Sequence, residues 1–109
     1  MPIVSVYDQM KKKVSVIILN WNGKDYTLNL LESMKRTTYR NYETVVVDNG
    51  SIDGSAEAIK SAFPKVKIIR NPKNLGYAGG MNVGLRRAKN DYVVLLNNDM
   101  LVRPEWLTE

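Results

Sequence analysis

From Val14 onward the chain switches regularly between two hydrophobic periods. VSVIILN (14–20), ETVVVD (43–48), VKIIRN (66–71) and DYVVLLN (91–97) are short, β-branched, near-continuous apolar runs of strand length. Between them lie stretches with helical spacing. Residues 24–36 place Thr27, Leu30, Leu31 and Met34 on one face. Residues 55–63 do the same for Ala56, Ile59 and Phe63, with Asp53 as the expected N-cap. Residues 78–89 stack Met81, Leu85 and Ala88, and Pro104 suits the first turn of a closing helix. The order is β-α-β-α-β-α-β-α. Apolar strands alternating with amphipathic helices predict an α/β domain: a Rossmann-like, three-layer unit whose mostly parallel four-stranded sheet carries helices on both faces. The crossovers are expected to be right-handed.

Open parallel sheets bind ligands beyond the carboxyl ends of their strands, and here those ends are polar. The first runs into Asn20-Trp21-Asn22-Gly23, the second into Asp48-Asn49-Gly50-Ser51, and the third into Asn71-Pro72 and then Asn74-Leu75-Gly76-Tyr77-Ala78-Gly79-Gly80. The fourth ends in Asn97-Asn98-Asp99. Each stretch alone is ordinary turn chemistry; four of them at one sheet edge point to a site. Gly79, Gly80 and Gly84 at a helix start each cost about 1 kcal/mol against alanine, which signals close backbone approach or a bound group. The strand-1 turn NWNGKD matches neither the dinucleotide fingerprint nor the phosphate loop.

Composition narrows the chemistry. The 109 residues contain no cysteine and no histidine, so disulfides, thiolates, His triads and His metal sites are absent. Acid–base work falls to Asp, Glu, Lys or Tyr. Sixteen basic against eleven acidic residues give +5, which suits an anionic partner. Residues 1–13 read as a leader ending in Lys11-Lys12-Lys13, a solvated tail or a peripheral contact with a membrane face. The pairs Lys35-Arg36 and Arg86-Arg87 read as solvated helix faces, and no nucleic-acid motif is present.

In order and spacing, VSVIILNWNG, VVVDNGSIDGS, NLGYAGGMNVGLRRA and VVLLNNDM resemble the amino-terminal half of family-2 glycosyltransferases with the A-type fold, rhamnosyltransferase-like members above all. The resemblance implies a nucleoside diphosphate sugar (UDP-, dTDP- or GDP-linked) as donor. Leu19, Asn20 and Asp48 are implied at the base and ribose, Asn22, Asn49 and Ser51 elsewhere in the nucleotide-sugar site, and Asn74, Gly76, Tyr77, Gly79, Gly80 and Asn82 beside the sugar nucleotide. Asn97-Asn98-Asp99 stands where the family has its D-x-D motif. Asp99 is the implied ligand of Mg²⁺ or Mn²⁺, with Asn97 in place of the first Asp. The implied reaction is transfer of a hexose to an acceptor hydroxyl, with inversion.

The family's catalytic base lies further along than Glu109. Residues 14–109 are therefore expected to be the donor part of the domain, truncated before the acceptor part, and to bind nucleotide with little or no transfer. Location is expected to be cytoplasmic, with contact at the inner membrane face left open. The fourth strand becomes an edge, so a homodimer through Tyr92 to Leu96 is expected. Two alternatives stay open: a nucleotidyltransferase-like enzyme and a non-catalytic nucleotide-binding or protein-interaction fragment.

Overall fold

The structure is a computed structural model, and it describes residues 12–107. The expected leader lies outside them except for Lys12 and Lys13. Among the described residues four strands and three helices alternate: β1 (Val14–Asn20), α1 (Lys24–Met34), β2 (Tyr42–Asp48), α2 (Ser55–Ala62), β3 (Lys67–Arg70), α3 (Gly76–Arg87) and β4 (Tyr92–Asn97). All pairings are parallel, in the order β3-β2-β1-β4.

The strands are buried because alternate side chains feed two cores. Val14, Val16, Ile18 and Val46 face Leu30, Leu31 and Met34 of α1 and Ile59 of α2. Ile17, Val45 and Val47 face Met81 of α3 on the other side. The three expected layers are therefore present. The third crossover returns past β1, so the strand order reverses at β1. The crevice between the carboxyl ends of β1 and β4 is the topological switch point, where such sheets bind ligands.

Several local expectations give way to packing. Leu85 is exposed, and the α3 face turned to the sheet consists of Gly80, Met81 and Gly84 instead. These glycines answer to helix–sheet distance. A Cβ on Gly84 would lie 2.6 Å from Ile17 Cγ2 and 3.0 Å from Val47 Cγ2; one on Gly80 would lie 2.5 Å from Leu19 Cδ1. The expected closing helix at Pro104 is a turn. Its Pro104 carbonyl accepts from Thr38 N–H (2.7 Å), and Trp106 Nε1 donates to Thr37 Oγ1 (3.0 Å), which folds this segment back onto the loop after α1. Gly54, in the left-handed region, takes the N-cap position of α2 expected for Asp53.

At the opposite end of the sheet, Glu43 gathers Ser15 Oγ, Asn90 Nδ2 and Lys67 Nζ at 2.7–2.9 Å and ties β1, β2, β3 and the approach to β4 together. The Lys67 and Ser15 hydrogen bonds hold its carboxyl below the usual range. Among the described residues β4 pairs only with β1, and Val93 and Leu95 on the α3 side of the sheet stay exposed. Among the described residues no helix is long and apolar enough to cross a membrane.

Gly84→Ala tests the close approach of α3. Helix propensity favours alanine by about 1 kcal/mol, but overpacking against Ile17 and Val47 costs about 1–3 kcal/mol. Urea unfolding is expected to show a lower midpoint; a midpoint at or above that of the native chain contradicts the packing account.

Candidate nucleotide-sugar site

The rim at the carboxyl end of the sheet is built around two buried asparagines. Asn20, the last residue of β1, is fully buried. Its Oδ1 accepts from Thr27 Oγ1 of α1 at 2.6 Å, and its Nδ2 donates to Asp48 Oδ1 at 2.9 Å and Ser51 Oγ at 3.2 Å. Asn49, just past β2, is equally buried. Its Oδ1 accepts from Asn71 Nδ2 (3.1 Å) and Leu75 N–H (3.0 Å), and its Nδ2 donates to Asn74 Oδ1 (3.0 Å) and the Gly76 carbonyl (3.1 Å). Both amides use donors and acceptors within the protein. They hold the loops in place, with no hydrogen-bonding group turned to solvent.

The loops are then locked to one another. Asn22 sits at φ +48°, left-handed backbone that asparagine tolerates better than most residues. Its N–H donates to Ser51 Oγ and its Oδ1 accepts from Ile52 N–H, both at 2.8 Å. Gly50, at φ +79°, lets the β2 loop touch the backbone of Lys73, where a Cβ would come within 2.8 Å. Asp53 joins two helix starts: its carboxylate accepts from Lys24 N–H of α1 (3.1 Å) and from both the N–H (3.0 Å) and the hydroxyl of Ser55 in α2. Burial pushes its pKa up, but the hydrogen bonds from Ser55 and from Lys24 N–H outweigh this and hold the carboxyl below its ordinary range.

Two grooves open on this rim. One, about 320 Å³, is lined by Asp48, Gly50, Ser51, Ile52, Arg70, Asn71 and Pro72. Asp48 is buried, with Oδ1 held by Asn20 and by Ser51 Oγ at 2.6 Å; Oδ2 has only a long 3.4 Å contact from Ser51 N–H and is the oxygen left for another donor. The other groove, about 470 Å³, lies at the switch point and is lined by Leu19, Trp21, Asn22, Gly23, Tyr26, Tyr77, Asn97, Asn98 and Asp99. In register Asp48 flanks Asn20 and Asn97 flanks Leu19. The two outer strand ends therefore stand two strand spacings apart, ~10 Å. A larger groove, about 620 Å³, sits at the far end of the sheet among residues such as Leu31, Lys35, Phe63 and Val66, away from these groups.

Asp99 is exposed, in the turn that follows β4. Asn98 Nδ2 donates inward to Thr27 Oγ1 (3.2 Å), which leaves its oxygen to accept. Asn97 is exposed beside it. Among the described residues no group of three His, Cys, Asp or Glu side chains could hold a metal unaided. The donor set is one carboxylate and two amide oxygens. That fits Mg²⁺ or Mn²⁺, which take hard oxygen ligands and complete their shells with water and substrate phosphates.

The structure brings Leu19, Asn22, Tyr77, Asn97, Asn98 and Asp99 into one groove and Asp48 and Ser51 into the other. Gly76 and Asn74 lie on the loop tied to Asn49, while Gly80 serves the packing of α3 on the sheet and Gly79 lies against Leu75 at the helix start. Asn82 points outward from α3 and lines neither groove. Trp21 and Asn71 fell within the polar strand ends but were given no role of their own, Asp53 was read only as an N-cap, and Thr27 and Tyr26 were not placed at the rim by sequence reasoning. Thr27 was legible only as one position of an apolar helix face, and nothing in its spacing shows a hydroxyl shared by two strand ends.

Comparison with known proteins agrees with this geometry. Residues 15–109 match the family described as glycosyl transferase family 2, and the chain belongs to that family. It is 32% identical over 97 residues to an uncharacterized glycosyltransferase of Haemophilus influenzae, covering 86% of this chain and 30% of the relative. It is 31% identical over 98 residues to glycosyltransferase GlyG of Streptococcus pneumoniae, covering 86% and 32%. Among solved structures it superposes on the mannosyltransferase PcManGT from Pyrobaculum calidifontis, in complex with GDP-Man and Mn²⁺, with a TM-score of 0.78 and 26% identity over 86% of this chain and 29% of that one. The S. aureus TarS 1–349 complex with UDP-GlcNAc gives 0.80 and 29% identity over 88% and 29%. The fold is the A-type glycosyltransferase fold, and the chain spans about a third of the length of these relatives.

Asp53→Asn tests the joint between α1 and α2. Because the folded carboxyl is depressed, its stabilisation is present above the unfolded pKa and fades as pH falls through the lower folded value. The substitution is expected to cost about 1 kcal/mol at pH 7, the scale of a lost cap, and to narrow the gap between variant and native chain below about pH 4, the ordinary Asp range. An equal gap at both pH values contradicts the assignment.

Proposed function

We propose that this chain is the donor-binding part of a glycosyltransferase that moves a hexose from a nucleoside diphosphate sugar to an acceptor hydroxyl. The observation that carries the reading is the position of Asp99: a solvent-facing carboxylate at the switch point, in a groove joined by a common rim to the one that holds Asp48. Neighbours of the same fold are described as bound to GDP-Man with Mn²⁺, UDP and UDP-GlcNAc. In our reading Asp48 Oδ2 and the Ser51 loop take the nucleoside, and Asn97, Asn98 and Asp99 face the diphosphate.

A divalent metal held by Asp99 would supply positive charge opposite the departing diphosphate, where negative charge develops. Against a singly charged side chain at ~4 Å, worth about 4 kcal/mol at an effective dielectric of ~20, a dication roughly doubles the attraction. The protein's own share is to orient the two ends of the donor on a rim that does not reorganise. Among the described residues Asp99 is the one carboxylate lining the groove. With it facing the metal, no acid is left there to deprotonate an acceptor, so this chain by itself binds donor without transferring it.

Calorimetric titration with UDP, GDP and dTDP tests this reading. Mn²⁺ is expected to raise the affinity for at least one of them tenfold or more, about 1.4 kcal/mol, and Asp99→Asn is expected to abolish the gain. Metal-independent affinity, or none, overturns the metal assignment; turnover of a nucleotide sugar onto an acceptor overturns the binding-only reading.

We further infer self-association along β4. Among the described residues no strand pairs with its outer edge, and Val93 and Leu95 lie uncovered on the α3 side. Unprotected apolar edges recruit further strands. Sedimentation at high concentration is expected to show a dimer that Leu95→Lys converts to monomer; a clean monomer of the native chain sinks the idea.

A further inference from the structure

The end of the sheet opposite the rim has a charge of its own. Because all four strands are parallel, their amino ends and the C-termini of α1, α2 and α3 meet there. Exposed cations collect at this end. Lys35 and Arg36 follow α1, Lys60 lies in the last turn of α2, and Arg86 and Arg87 close α3. Lys13, Arg40, Lys65 and Lys89 stand on the approaches to β1, β2, β3 and β4. Helix dipoles account for cations at helix C-termini, but not for those that lead into strands. Of the acids at this end, Glu32, Glu43 and Asp91 are already paired with Lys35, Lys67 and Lys12, and Glu105 lies in the Pro104 turn. Arg40, Lys65 and Lys89 form no ion pair among the described residues. The rim end has the opposite balance: Lys24, Arg70 and Lys73 stand there among Asp25, Asp48, Asp53, Glu57 and Asp99.

Apolar surface is set among these cations. The groove of about 620 Å³ opens here, between the ends of α1 and α2. Its lining joins buried Met34 and half-buried Phe63 and Val66 to exposed Lys35, Arg40 and Lys65. Lys35 Nζ lies 5.2 Å from the centre of the Phe63 ring, so charge and apolar surface are adjacent. Tyr92, 56% exposed, opens β4 at the same end. Such a ring has an apolar body and a polar tip, the form that settles at the headgroup level of a bilayer.

We propose that the amino end of the sheet is a docking face for a bilayer rich in anionic phospholipid. Such a surface presents a plane of negative charge above acyl chains. Clustered Lys and Arg side chains are drawn to the first. The groove floor and Tyr92 suit the second, because apolar groups gain by burial at the headgroup boundary. A nucleic acid would satisfy the cations and leave the apolar groove without a role. Lys12 and Lys13, at the foot of β1, extend the face toward the leader. The pairs Lys35-Arg36 and Arg86-Arg87, which look like separate solvated faces in the sequence, belong to one surface once the sheet assembles them. Docked this way, the chain turns its rim toward water. The proposal is independent of what the rim binds.

Co-sedimentation of the full chain with vesicles tests the face. One set is phosphatidylcholine alone and the other an equal mixture with phosphatidylglycerol. Binding to the mixed vesicles alone is expected, and it should weaken as salt is added. Replacing Lys13, Arg40 and Lys65 together by alanine is expected to lower it about a hundredfold, about fivefold for each charge. Removing the same charge at the rim end, with Lys24→Ala, Arg70→Ala and Lys73→Ala together, should leave it nearly unchanged. Circular dichroism checks that both triple variants fold. The two tryptophans read the orientation: Trp106 donates to Thr37 near the basic end, and Trp21 lines the rim groove. Spin-labelled headgroups are expected to quench Trp106 in the Trp21→Phe chain and to spare Trp21 in the Trp106→Phe chain. Absent binding, equal binding to both vesicles, equal losses in the two triple variants, or quenching centred on Trp21 overturns the proposal. Tighter binding of an RNA or DNA oligonucleotide than of mixed vesicles, lost in the first triple variant, also overturns it and assigns the face to nucleic acid.

Discussion

The amide side chains of Asn20 and Asn49 hold the rim together from inside. Each sits at the end of a central strand, out of water, and each joins segments distant in sequence: α1 and the β2 loop through Asn20, the β3 end and the α3 start through Asn49. A neutral hydrogen bond contributes only about 1 kcal/mol net, but a buried donor or acceptor left without its partner costs about 1–3 kcal/mol. Seven such bonds on two side chains make the loop arrangement close to all-or-none. No buried side-chain nitrogen or oxygen among the described residues lacks a partner, which is what a site that must not reorganise on binding requires.

The strand order turns that scaffold into a site. Because β1 lies between β2 and β4, the loops after β2 and β4 come up on either side of it, and the acidic groups at 48 and 99 arrive at one edge from opposite flanks. Glycines let α3 approach closely enough to bring Tyr77 over the same edge. Charge, aromatic surface and amide chemistry then converge without any one loop being long.

Much of the fold was legible in the sequence because it rests on periodicity. The β-branched runs 14–20 and 43–48 and the faces Leu30-Leu31-Met34 and Ala56-Ile59 report local facts that packing reinforces. Leu85 and Pro104 were misread for the converse reason. What decides them is tertiary: glycines bring the helix too near the sheet for a leucine to be needed inside, and Thr37 and Thr38 pull the terminal segment into a turn.

The site was legible in its outline but not in its division of labour. Strand-end positions collected Asn20, Asn49, Asp48 and Asp99 together, since polar residues after apolar strands mark the rim. Pattern alone does not separate an asparagine that faces a ligand from one whose four hydrogen-bonding positions are engaged within the protein. Nor does it show that Trp21 and Tyr26 stay exposed, because exposure of an aromatic depends on how the loop below it is pinned.

The central claim is that the diphosphate and its metal sit at the end of β4, between Asp99 and the β1 loop. Paramagnetic broadening by Mn²⁺ in the amide spectrum of the isotopically labelled chain, with UDP or GDP present, tests it most directly. Signals from Trp21 to Gly23 and Asn97 to Asp99 should fade first, while those of Lys35 and Phe63 at the far end of the sheet persist. Broadening centred on that far groove, or spread evenly over the surface, would contradict the account.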